Sequence, residues 1–146
     1  MSCLRCRWAR FWPVCLGLFA AVSLTAQEKT ADELAIEEGK LLYRVHCVAC
    51  HGDQAKGDGA IRDQLETLPP DLTLIAKHNE GRFPAEKVFE AIDGRSELPA
   101  HGTREMPVWG FSFQAAGLDS DQEAEVRGRI SSLTRYLESI QVPAKD

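Results

Sequence analysis

Five consecutive residues, Cys47-Val48-Ala49-Cys50-His51, put two thiols three positions apart and an imidazole directly after the second. On a helical turn, thiols at that spacing share a face. Each can add across a vinyl group on one edge of a porphyrin, and the next imidazole then comes under the iron. C-x-x-C-H is the spacing of covalent haem attachment. Two other chemistries use the same residue types and fit less well. A redox dithiol needs a strand before it and a helix after it, whereas residues 32–46 read as helix and 52–60 as loop. A structural zinc needs four ligands, and only His46, His78 and His101 remain to supply one, with no second C-x-x-C. The motif therefore predicts one covalent haem c, bound through Cys47 and Cys50, with His51 as an iron ligand.

The second axial position decides what such a haem can do. Met106 lies 55 residues beyond His51, and Pro107 after it stiffens a loop that could hold a thioether at fixed distance. His101, in the same loop, is the rival ligand. His46 adjoins the attachment turn and is expected to stay on its side of the ring, and His78 reads as a residue of a solvated loop. With His51 and Met106 both on the iron, oxygen or peroxide finds no open site, and the soft thioether favours the ferrous state. That chemistry is electron transfer rather than catalysis. Trp109 could donate its indole N–H to a haem propionate, and Arg95 or Arg104 could pair with one. Simple packing and solubility are the alternative roles of these three.

Elements must hold these residues in place, and the sequence contains three helical patterns. The first runs from Asp32, a possible cap, to His46, with Ala35, Gly39 and Tyr43 on one face. A glycine inside a helix costs about 1 kcal/mol against alanine, so Gly39 implies a close backbone contact. Tyr136 is the candidate partner. The second pattern begins at Pro84, buries Val88, Phe89 and Ile92, and stops at Gly94. The third opens at Asp119 with Gln122 three residues on, and continues through Val126, Ile130, Leu133, Leu137 and Ile140 until Pro143 closes it. No segment alternates as a strand does, so the class is all-α. Residues 52–83 and 95–118 have little periodicity. Their Leu65, Leu68, Leu72, Leu74, Ile75, Phe83, Leu98, Val108, Trp109, Phe111 and Phe113 are expected to pack on a haem, which would supply much of the core.

The rest of the chain bounds where this happens. Arg5, Arg7 and Arg10 precede an apolar stretch, Phe11 to Leu24, that ends in small residues. This reads as a secretory signal peptide over residues 1–26, cut after Ala26, and too short to span a membrane comfortably. Its removal takes Cys3, Cys6 and Cys15 and leaves Cys47 and Cys50 of the 5 cysteines. It also leaves 14 Lys and Arg against 22 Asp and Glu, a net charge of -8. An acidic chain argues against phosphate-held nucleic acid as a partner. Lys77, Arg82, Arg95 and Arg104 nevertheless fall in the loops expected around the haem, so a local basic rim is an open alternative.

These features resemble a known family. A helix, C-x-x-C-H, Pro69-Pro70-Asp71-Leu72-Thr73, Ile92-Asp93-Gly94-Arg95, Met106-Pro107-Val108-Trp109-Gly110 and a helix ending Tyr136-Leu137 follow in the order of a monohaem class I cytochrome c, over nearly all of residues 32–141. The resemblance implies an all-α fold whose first and last helices cross beside the haem edge. It also implies a proline carbonyl, from Pro69 or Pro70, accepting the N–H of His51. The expected product is a periplasmic one-electron carrier, a monomer with separate redox protein partners. The alternatives are a haem subunit of an oxidoreductase complex and, further off, a haem enzyme or sensor with an open distal site.

Overall fold

A computed structural model describes residues 29–96, 105–114 and 120–143. The proposed signal segment, residues 1–26, together with Leu98, His101 and Arg104, lies outside these. Among the described residues the elements are all helical: α1 (Ala31–His46), α2 (Val48–His51), α3 (Ile75–His78), α4 (Ala85–Asp93), α5 (Trp109–Ser112) and α6 (Ser120–Ser139), with short 3-10 turns at Arg62–Gln64 and Leu72–Leu74. The class is all-α, as its patterning implied.

Helix α1 begins one turn-position earlier than expected because Thr30, not Asp32, caps it. The Thr30 side chain accepts the Glu33 N–H while the Glu33 carboxylate accepts the Thr30 N–H, a reciprocal capping box. That bond to the Thr30 backbone holds the Glu33 pKa below the ordinary carboxylate range. Asp32 is thereby free to receive the Arg135 guanidinium from α6. At the other end, Pro84 occupies the cap position of α4, and Gly94 ends the helix in the left-handed conformation, φ +69°.

Helices α1 and α6 cross at Gly39. A β-carbon there would stand 1.9 Å from the Ser132 carbonyl oxygen and 2.8 Å from the Tyr136 Cβ, so only a hydrogen fits between the backbones. The predicted contact with Tyr136 is present, but the nearest surface is the α6 main chain at Ser132. Tyr43 and Tyr136 meet one turn away with ring centroids 5.3 Å apart, and the Ser132 hydroxyl donates to Glu38 at 2.7 Å. Among the described residues Tyr43, Val126, Ile130 and Leu133 are the largest fully buried side chains, joined by Val88 and Ile92 of α4. Removing that apolar area from water is the main stabilising contribution at this crossing.

The irregular stretch 52–83 is fastened to this frame by polar contacts. Asp71 accepts the Thr73 N–H at 2.9 Å and so starts the turn at Leu72. Beyond α6, the Gln141 side chain accepts from the Ala76 N–H and donates to the Leu72 carbonyl, each at 2.8 Å, and the Val142 N–H donates to the Thr73 carbonyl at 2.9 Å. The end of the last helix thus holds the segment that follows Pro69-Pro70. This is how a loop without periodicity keeps a defined position.

Candidate haem site

Helix α1 stops at His46, and Cys47 caps it by donating its N–H to the Tyr43 carbonyl at 2.9 Å. Helix α2 restarts at Val48 and carries Ala49, Cys50 and His51 around a single turn. The loop after it folds straight back. The N–H groups of Gly57, Gly59 and Ile61 donate to the carbonyls of His51, Cys50 and Ala49 at 2.9, 3.1 and 3.1 Å. The buried Tyr43 hydroxyl donates to the Gly52 carbonyl at 2.7 Å. These bonds satisfy the carbonyls at the end of a very short helix, which would otherwise be orphaned. The five-residue motif is thereby tied, carbonyl by carbonyl, to the loop that follows it.

Cys47 and Cys50 are half-buried, unbridged thiols. Burial, with a smaller contribution from Cys50 beside it, pushes the Cys47 thiol up to about 12. His51 Nδ1 is buried and makes no hydrogen bond of ordinary geometry. Burial pulls the imidazole below its usual pKa, and the Pro70 carbonyl, the backbone acceptor that approaches the ring, works against that pull. Both proline carbonyls lie against Gly57, where a β-carbon would stand 2.1 Å from the Pro69 oxygen and 3.1 Å from the Pro70 oxygen, and of the two it is the Pro70 carbonyl that also approaches the His51 ring.

Beside this turn lies a cleft with two lobes. The larger, about 380 Å³, is lined by Cys47, Cys50, His51, Leu65, Leu68, Pro69, Pro70, Met106, Pro107 and Trp109 among others. The smaller, about 210 Å³, is lined by Tyr43, Leu72, Ile75, Val88, Ile92, Leu133 and Leu137 and shares Cys47, His51, Pro70, Met106 and Trp109 with the first. The predicted haem residues Cys47, Cys50, His51, Pro69, Pro70, Met106 and Trp109 are thus brought to one cleft, although they come from three separate segments. Of the aromatic loop residues, Phe111 is 52% exposed, whereas Phe113 is buried in the core against His46 and Trp109.

Arg95 lines neither lobe. Its Nε bonds Asp93 at 2.6 Å, and its two terminal nitrogens bond the Glu123 carboxylate at 2.8 and 2.9 Å. Those partners hold the guanidinium charged and pull the Glu123 carboxyl below its ordinary range. Gly110 packs directly on this ion cluster, where a β-carbon would stand 1.8 Å from Asp93 Oδ1. Lys77 and Arg82 are exposed and line neither lobe, and the carboxylates on the wall of the larger lobe are Glu66 and Glu105. Among the described residues no basic rim surrounds the cleft.

Two further residues complete the site, His46, which was expected beside the attachment turn, and Glu105, which was not anticipated. His46 lines the larger lobe, with its ring 5.2 Å from both Trp109 and Phe113. Its place in the last turn of a helix that leads into C-x-x-C-H was the available signal. Glu105 accepts the N–H groups of Glu66 and Thr67 at 2.5 and 2.7 Å, and nothing in its sequence context marks that role.

The cleft suits a haem on structural grounds. Its walls are mainly apolar, it falls within the range of cofactor pockets, and it offers two thiols, an imidazole and a thioether as donors. The buried His51 nitrogen without a hydrogen bond is the polar group that an ordered ring, turned towards Pro70, would satisfy.

Comparison with known proteins agrees. The family model described as Cytochrome c matches residues 36–126. A curated relative, the cbb3-type cytochrome c oxidase subunit CcoP of Azospirillum brasilense, is 29% identical over 105 residues, 72% of this chain and 32% of that protein. The chain spans about a third of that relative's length. No solved structure matches it.

Proposed function

The chain belongs to the cytochrome c family and carries covalent haem c, and from that premise we propose that it is a one-electron relay rather than an enzyme, with His51 and Met106 as the two axial ligands. The observation that carries this reading is the convergence of Cys47, His51, Met106 and Trp109 on the wall common to both lobes of one cleft. The haem iron supplies the one-electron couple. The protein supplies everything around it. Cys47 and Cys50 would hold the haem through two thioether links, each S–H adding across a vinyl group with no atom lost. His51 would supply an imidazole nitrogen to the iron, and the Pro70 carbonyl that approaches its ring would accept the other ring N–H and so fix the tautomer. Met106 would supply its thioether sulfur to the iron, which would leave no open position for small ligands. Leu72, Ile75, Val88, Ile92 and Leu133 exclude water from the inner lobe, which keeps reorganisation on electron transfer small.

Trp109, on the wall shared by the two lobes, would donate its indole N–H to a propionate. Arg95 acts instead through the Asp93–Glu123 cluster under Gly110. In this reading the chain works as an exported domain whose residues 1–26 are the export signal. Among the described residues no helix is long and apolar enough to cross a membrane.

Optical spectroscopy of protein matured in a periplasm tests the ligands. The expected result is a c-type pyridine haemochrome and a near-infrared sulfur-to-iron band, lost in Met106→Ala and kept in His101→Ala. Ready binding of carbon monoxide by the reduced protein at neutral pH overturns the assignment.

A second reading is favoured by one finding: the relative in Azospirillum brasilense is an oxidase subunit. Here the chain is the haem subunit of an oxidoreductase complex. Copurification with a catalytic subunit after gentle extraction supports it, and a lone monomer supports a diffusing carrier.

A further inference from the structure

Met106 sits on a short segment held at both ends. At its far end Gly110 packs on the Asp93–Arg95–Glu123 ion cluster. At its near end the carboxylate of Glu105, the residue before Met106, bridges two successive backbone N–H groups, Glu66 at 2.5 Å and Thr67 at 2.7 Å. Glu66 and Thr67 belong to the loop that leads through Leu68 into Pro69 and Pro70, and all of them line the larger lobe. Some 38 residues separate Thr67 from Glu105, so the contact is tertiary and not a local turn.

We propose that Glu105 is a positioning residue, a latch that clamps the Met106 segment to the 66–67 backbone across the cleft and sets how readily the Met106 sulfur gives way to another ligand. The inference rests on the assignment of Met106 as an axial ligand.

The physical argument is geometric. A side chain that reaches one N–H restrains a loop in distance alone. A carboxylate that spans two adjacent N–H groups also fixes the loop's orientation, and bonds to a charged acceptor are stronger than neutral ones. For Met106 to leave, its segment must swing away from the cleft, and the Glu105 bonds must break first. The latch therefore acts on the ratio of closed to open segment, and any added ligand binds only the open fraction. Exposure to solvent moderates the effect without abolishing it.

Imidazole titration of the ferric holoprotein, followed by its optical spectrum, tests the latch in the native chain, Glu105→Ala, Glu105→Gln, Glu37→Ala and Met106→Ala. Glu37→Ala is a control that removes a comparable exposed carboxylate on α1. The expected result is that all but Met106→Ala retain the sulfur-to-iron band. Glu105→Ala then binds imidazole about tenfold more tightly than the native protein, Glu105→Gln, with one acceptor left, falls between, and Glu37→Ala is unchanged. Equal imidazole affinity in Glu105→Ala and the native protein, with the band present in both, overturns the latch and leaves the Met106 assignment standing. A shift in Glu37→Ala as large as in Glu105→Ala also overturns it, because the effect is then general. Absence of the sulfur band from the native protein overturns the ligand assignment and the latch together.

Discussion

Replacing Gly39 by alanine should destabilise the folded protein, although alanine is the better helix former. Helix propensity alone favours Gly39→Ala by about 1 kcal/mol. The new methyl group, however, would stand 1.9 Å from the Ser132 carbonyl oxygen, 2.5 Å from its carbonyl carbon and 2.8 Å from the Tyr136 Cβ. Two of these atoms belong to the main chain of α6 and cannot rotate aside. Ordinary carbon contacts begin near 3.4 Å, so the helices must part by roughly 1.5 Å at the crossing. That loosens Tyr43, Ile130 and Leu133, which are 1%, 0% and 2% exposed. Overpacking of this kind costs about 3 kcal/mol, which leaves a net loss of about 2 kcal/mol.

Gly128 supplies the control. It lies in α6, with nothing within 4 Å of a β-carbon built there, so Gly128→Ala should gain about 0.5–1 kcal/mol. The same substitution in two helices is thus expected to act with opposite signs, separated by about 3 kcal/mol, or roughly 100-fold in the unfolding equilibrium. Guanidinium unfolding of the haem-loaded variants, followed by far-ultraviolet circular dichroism, measures both. A Gly39→Ala protein as stable as the native one, or one that moves in the same direction as Gly128→Ala, refutes the reasoning.

Three other perturbations probe the site's supports. Tyr43→Phe removes one of the two donors to the Gly52 carbonyl, bonded at 2.7 Å, and leaves the Ala55 N–H at 3.1 Å, so it should cost about 0.5–1.5 kcal/mol in the same unfolding assay. Gly57→Ala forces a β-carbon to within 2.1 Å of the Pro69 carbonyl and should push the Pro69-Pro70 segment away from His51. The expected result is a lower haem content per chain by pyridine haemochrome; full occupancy at native stability counts against the contact. The third concerns pH. Arg95 depresses the Glu123 pKa in the folded protein, so the pair's contribution to stability is present above the unfolded carboxyl value of about 4.5 and is lost as pH falls through the lower folded value. Glu123→Gln should therefore flatten that part of the stability profile on the acid side of pH 4.5 and leave the profile near neutrality parallel to the native one.

Much of the site was legible because it is encoded locally. Cys47, Cys50 and His51 sit within one turn, so their spacing alone states their chemistry. Helices α1, α4 and α6 were legible for the same reason, since a 3.6-residue period is a property of neighbours. The glycine at position 39 signalled a close approach before the approaching surface was known. Local reasoning misjudged the caps: Asp32 looks like a cap by type, but Thr30 takes that role with Glu33, and Asp32 is engaged by Arg135 from α6. Arg95 was read as a cation near the haem because of its place in the sequence. Its actual surroundings depend on Glu123, 28 residues away.

Residue types and spacing were thus enough for an all-α chain with one covalent haem motif and a methionine suited to the distal position. Tertiary structure decided which carbonyl approaches His51, where Arg95 is held, and that Glu105 ties the Met106 segment to the backbone of residues 66 and 67. The physical reason is that helices and attachment turns are made of contacts three or four residues apart. Loops such as 52–83 have no period of their own and take their positions only from partners, Gln141 and Glu105 among them, that lie far away in the chain.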